Sequence, residues 1–180
     1  MRIFIALELP SKAKDYLDRS SSQFAYFSEG GNYVPRQNYH VTLHFLGEVA
    51  DSDVIFVQSA MDRVAHLPQF ELAITQFAMM KTGDLVYAKI KKSPSLLALH
   101  EELGKCLEEN RFDVEHRAYR PHITLIRKAA FNLPFSEVTK SVSVYNMPFT
   151  CSDVVLYQSQ LTPKGAVYSE LYRVSLSSQQ

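Results

Sequence analysis

Two stretches decide the reading of this chain: NYHVTLHFLG, residues 38–47, and RPHITLIRKA, residues 120–129. Each contains His-x-Thr-Leu, as His40-Val41-Thr42-Leu43 and again, 82 residues on, as His122-Ile123-Thr124-Leu125. Both alternate polar and apolar residues, the period of a strand with one wet face and one buried face. His40 and Thr42 then share a face, with Val41 and Leu43 behind them. His122 and Thr124 do the same over Ile123 and Leu125.

The flanks of the two words match in order. RIFIALEL (residues 2–9) reads as a buried strand halted at Pro10. A helix follows to about Phe24, with Ser11 as its expected cap. EGGN (29–32) signals a turn. After the first His-x-Thr strand, which ends at Gly47, DSDVIFVQSAMDRVAHL (51–67) has helical spacing up to Pro68, and FELAITQFAMM (70–80) is a strand. The order then starts again. LVYAKI (85–90) is a strand, and SPSLLALHEELGKCLEEN (93–110) a helix capped by Ser93 with Pro94 at its first position. HITLIR (122–127) is the second His-x-Thr strand. A Pro-containing connection, FNLPFSEV, leads to strands at SVSVYN (141–146), CSDVVLYQS (151–159) and AVYSELYRVSL (166–176), and SSQQ is expected to fray. The expected fold is α+β: one domain over 1–180, duplicated, its halves about 1–82 and 83–180 forming two pseudo-symmetric lobes.

Bulk properties limit the function. With 19 basic and 19 acidic residues the formal charge is zero, which excludes a broad basic footprint for long duplex nucleic acid but leaves room for a small polyanion or one RNA end. Cys106 and Cys151 follow apolar segments and are expected in or near the core, as in a reducing compartment. The apolar run of MRIFIALEL stops at Glu8, too short for a secretory leader, and no run approaches the roughly 20 residues of a membrane span. A cytoplasmic protein acting as a monomer, without membrane contact, is expected.

If the two polar faces meet across the cleft, two imidazoles and two hydroxyls surround one space. Histidine's reference pKa of about 6.5 lets one ring take a proton and the other give one. Threonine hydroxyls can hold the oxygens of a phosphate as its charge grows. One His-x-Thr on a strand is ordinary, since threonine is common there; two copies on matching strands are not. A metal is not expected: His40 and His44 lie about 13 Å apart on a strand, beyond the reach of one ion. Parity puts His44 on the His40 face. His66, His100 and His116 fall in helical or loop contexts and read as surface residues.

With RIFIALELP, NYHVTLHFLGEV, RPHITLIRKA and LYQSQLTPKGAVYSELYRVSL together, nearly the whole chain resembles the two-histidine (2H) phosphoesterase superfamily. It looks most like the bacterial RNA 2′,3′-cyclic phosphodiesterases, also called 2′-5′ RNA ligases. The resemblance implies a bilobal fold, each lobe a β-sheet with outer helices around a central cleft, and hydrolysis of an RNA 2′,3′-cyclic phosphate to a 2′-phosphomonoester without cofactor or metal. It implies His40 as proton donor, His122 as proton acceptor, and Thr42 and Thr124 as phosphate-binding groups. It also implies a weak, ATP-independent 2′-5′ ligation as the reverse reaction. Arg127 stands where the family often has an arginine, but regular parity points it away from His122; it reaches the cleft only if the strand bulges, twists or ends there. Tyr33 either stacks a base or packs. Arg120, with Tyr119, either meets RNA or lies in a solvated loop. Tyr168 also fits the family pattern, with core packing as its default. Two other readings stay open. One is a relative acting on another small cyclic phosphate or a 2′-5′ linked oligonucleotide. The other is a non-catalytic module that binds RNA ends, for which arginine or lysine would serve better than histidine.

Overall fold

The computed structural model describes residues 1–178. Its elements run β1 (Arg2–Glu8), α1 (Ser11–Ala25), β2 (Ser28–Tyr33), β3 (His40–Glu48), α2 (Val54–Asp62), β4 (Phe70–Met79), β5 (Leu85–Ile90), α3 (Pro94–Glu109), β6 (His122–Phe131), α4 (Phe135–Lys140), β7 (Met147–Cys151), β8 (Asp153–Thr162) and β9 (Gly165–Ser175). Two antiparallel sheets result, in the orders β3-β1-β8-β9 and β2-β6-β5-β4-β7. The α+β, two-sheet architecture is the expected one.

Each His-x-Thr word lies in an antiparallel ladder. Opposite β3, Glu8 faces His40 and Ala6 faces Thr42. Opposite β6, Lys89 faces His122 and Tyr87 faces Thr124. The two His-x-Thr strands nevertheless lie in different sheets, and the halves exchange material. β4 from the first half lies beside β5, and β8 from the second lies beside β1. α1 crosses to the sheet that holds β6, where buried Phe24 meets Phe77, Phe131 and Phe135 at ring-centroid distances of 5.4, 6.0 and 5.9 Å. α3 backs onto β3, its Gly104 against the His44 ring. Each helix buries one apolar stripe, for α1 Ala13, Tyr16, Leu17 and Phe24, for α3 Leu96, Leu99, Leu103 and Leu107.

Several boundaries differ from the sequence pattern. Ser93 caps α3 as expected, its hydroxyl accepting from Leu96 N–H at 3.1 Å. Ser11 does not cap α1; it is the first helical residue, and extended Pro10 precedes it. EGGN is an irregular edge strand rather than a turn. Gly31, at φ 130°, passes so close to β6 that a Cβ there would stand 3.1 Å from Ile126 Cγ2. The helix expected over 51–67 is α-helical only over Val54–Asp62 and loosens into turns before Pro68. SVSVYN is not a strand. The short helix α4 occupies part of the preceding connection, and the place beside β4 is taken by Met147–Cys151, which pairs with Phe70–Ile74. The tail is tied down at Ser177, which bridges Pro68 and whose N–H donates to the Leu67 carbonyl at 2.9 Å; Gln179 and Gln180 of the expected frayed segment lie outside the described residues. No helix among them is long and apolar enough to cross a membrane. Cys106 and Cys151 are free and buried.

Candidate active site

Val41, Leu43, Ile123 and Leu125 are all buried, and they anchor the strands that present His40, Thr42, His122 and Thr124. The two imidazoles are held alike. His40 Nδ1 lies 2.6 Å from the Asn38 carbonyl, and His122 Nδ1 lies 2.8 Å from the Arg120 carbonyl. A carbonyl only accepts, so Nδ1 carries the hydrogen in both rings, and Nε2 of a neutral ring is left with its lone pair. His40 Nε2 accepts from the Thr42 hydroxyl at 3.0 Å.

His40 rests on an aromatic bed from its own sheet, with Phe4 at 5.0 Å and Tyr168 edge-on at 5.4 Å between ring centroids. Burial, with smaller contributions from the charges of Arg127, His122 and Lys14, pushes its pKa down to about 4, against the opposing effect of the Asn38 carbonyl. The ring is therefore neutral at pH 7. His122 is half-buried, with Tyr87 edge-on at 5.5 Å. A cavity of about 880 Å³ takes in Thr42 from one sheet and His122 from the other, with Phe45, Met80, Tyr119 and Arg120 around it. A second cavity of about 680 Å³, between Phe70–Ala73 and residues 91–95, holds none of the paired-motif residues.

Arg127 reaches the cleft, and a bulge is the reason. In β6, Ile126 faces Val86 and Thr124 faces Tyr87, so Leu125 is an extra residue with no partner on β5. The extra residue resets the alternation. Leu125 and Ile126 are both buried, and Arg127 turns to the face of Thr124. Its positive charge is felt by His40 and Tyr168 on the opposite sheet. β3 carries the same bulge at Leu43, between His44 opposite Ile5 and Thr42 opposite Ala6. That overturns the parity expected for His44, which is buried on the face away from His40, against α3. His100 is likewise not a free surface residue; its ring stacks on His44 and on Tyr119.

The other candidates divide. Arg120 is exposed at the rim of the large cavity. Tyr33 lies opposite buried Ile126 and packs against the core, its hydroxyl buried without a hydrogen-bond partner. Thr124 is half-buried on the His122 face. Among the described residues no group of three or more His, Cys, Asp and Glu side chains is placed to hold a metal ion. Phe4, Asn38 and the ring stack behind Thr42 have no sequence signal of their own, because each acts through a neighbour that only the fold supplies.

Two antiparallel sheets that present paired His-x-Thr strands to one another define a phosphoesterase of the two-histidine class. The model of the 2′-5′ RNA ligase superfamily matches residues 17–162, and the chain belongs to that family. Among curated relatives, it is 26% identical over 176 residues to a Thermotoga maritima protein named RNA 2′,3′-cyclic phosphodiesterase, covering 96% of this chain and 94% of the relative. An Escherichia coli protein of the same name is 25% identical, with 98% and 97% covered. Among solved structures, a Thermus thermophilus protein superposes with a TM-score of 0.82 at 27% identity over all of both chains. Escherichia coli LigT in its apo form shares the fold at a TM-score of 0.80, 23% identity and 98% and 97% coverage.

Proposed function

We propose that the cleft hydrolyses RNA ends bearing a 2′,3′-cyclic phosphate to 2′-phosphomonoesters, with His40 as proton donor and His122 as proton acceptor. His122 Nε2 takes a proton from water as the water oxygen bonds to phosphorus. The bond from phosphorus to O3′ breaks, and His40 gives its proton to that oxygen. Thr42 and Thr124 hold the non-bridging oxygens, and Arg127 adds positive charge beside them. Arg120, at the rim, meets a phosphate of the incoming strand. Run backwards, the two histidines exchange roles and join a cyclic-phosphate end to a 5′-hydroxyl, a weak 2′-5′ ligation that needs no ATP. A cytoplasmic monomer working on RNA ends completes the reading.

One observation carries it. Each imidazole donates Nδ1–H to the carbonyl two residues upstream, which leaves Nε2 as the working nitrogen of both rings. Acid and base are thus chemically alike, and substrate charge decides which is protonated. The names of the relatives support the substrate class. The test is hydrolysis of a short RNA ending in a 2′,3′-cyclic phosphate, with EDTA present and 2′- and 3′-phosphate products resolved. The expected product is the 2′-phosphate alone, with turnover down roughly 10²–10⁴-fold in His40→Ala and in His122→Ala. No turnover by the wild-type protein would reject the reading in favour of another cyclic phosphate or a binding module.

A further inference from the structure

Beside the Thr42 strand, three rings are stacked. His44 from β3 lies 4.3 Å from His100 of α3, and His100 lies 3.8 Å from Tyr119, centroid to centroid, with interplanar angles of 14° and 8°. His44 Nε2 donates to the His100 carbonyl at 2.9 Å, and the Tyr119 hydroxyl donates to the Thr42 carbonyl at 2.6 Å. α3 makes room for this. A Cβ at Gly104 would stand 3.2 Å from His44 Cε1 and 3.4 Å from Nε2. Glycine is a poor residue for a helix interior, at a cost of about 1 kcal/mol relative to alanine, yet here it gives His44 its space. The proposed chemistry uses none of these rings.

The contact is placed between the two motifs. Tyr119 stands three residues before His122. The carbonyl it grips belongs to Thr42, whose hydroxyl meets His40 Nε2. β3 is an outer strand of its sheet, so one side of its backbone has no neighbouring strand and can take such a bond. A single hydrogen bond therefore joins the entry to the second His-x-Thr strand with the middle of the first, and the stacked imidazoles set the tilt of the phenol that makes it.

We propose that Tyr119, braced by His100 and His44, is a positioning residue that holds the Thr42 peptide, and through it the Thr42 hydroxyl and the His40 ring, at a fixed place relative to His122. The proposal rests on the phosphodiester reading above. Tyr119 touches no reacting atom; it acts through Thr42.

Tyr119→Phe deletes the hydroxyl and keeps the ring. On cyclic-phosphate RNA it should lower kcat roughly 3- to 10-fold, the worth of one hydrogen bond, with KM within about 2-fold and little change in Tm. In a Thr42→Ala background the same change should cost much less, because only the hold of that peptide on the His40 ring is left to lose. His100→Ala should reproduce the kcat loss, and His100→Phe, which restores a flat ring, should recover it. The His40 ring resonances of the substrate-free protein should move in Tyr119→Phe. An unchanged kcat, a loss repeated in full on Thr42→Ala, or unmoved His40 resonances would overturn the positioning role. Failure of the wild-type protein to turn over the RNA would instead sink the phosphodiester reading, while the resonances still judge the contact between Tyr119 and Thr42.

Discussion

His40 sits against Phe4 and Tyr168 with the Arg127 charge nearby, and burial lowers its pKa to about 4. The role proposed for His40 requires it to carry a proton, so in that reading the substrate has to bring the ring into its charged form. An anionic phosphate next to the ring favours that form and offsets desolvation. Binding of inorganic phosphate at pH 7 is therefore expected to draw protons from solution, and calorimetry in two buffers of different ionisation enthalpy reads this directly. Uptake should vanish in His40→Ala. Arg127→Ala removes a cation that disfavours protonation, so His40 should titrate at a higher pH in that variant, as followed by NMR of its ring. The paired words named His40, His122, Thr42 and Thr124 as candidates from the sequence. The depressed proton affinity was not legible, because Phe4, Tyr168 and Arg127 come from three other strands.

At the scale of elements, two single-residue bulges decide what the cleft contains. Strict alternation along HVTLHF and HITLIR would send His44 into the cleft and Phe45 and Arg127 out of it. The bulges at Leu43 and Leu125 reverse all three. Two successive buried residues mark such a bulge. Leu125-Ile126 carries that mark openly, whereas Leu43-His44 conceals it, since a buried histidine reads as a polar one. α3 answers the concealed case with Gly104. Glycine to alanine inside a helix ordinarily stabilises by about 1 kcal/mol. Gly104→Ala should instead lower Tm, because His44 is buried and hydrogen-bonded and cannot retreat from the new methyl. In a His44→Ala background the same substitution should raise Tm. Thermal melts of the two pairs check the reversal of sign.

Over the whole molecule, the strand order explains what the sequence pattern could not say. Periodicity gives the kind and order of elements, and most were legible, but it does not say which sheet an element joins. α1 and β4 join the sheet of the second His-x-Thr strand, and β8 the sheet of the first. Scanning calorimetry should accordingly show one unfolding transition. Acid should weaken it. His40 and His100 are each depressed to about 4, and His44 is lowered too, all chiefly by burial. Their unfolded values lie near 6.5, so the unfolded chain takes up protons first as pH falls. Their contribution is whole above pH 6.5 and is lost between about 6.5 and 4. Tm should fall by at least about 5 °C from pH 7 to pH 4.5.

The exchange of helix and strand between the halves has the form of a domain-swapped dimer whose two chains have been spliced end to end. Phe24 of the leading half completes the core over Phe131 and Phe135 of the trailing one. Neither half closes its core alone; each is one arm of a clasp. The cleft then lies on the line where the two arms close, with one imidazole on each side of it.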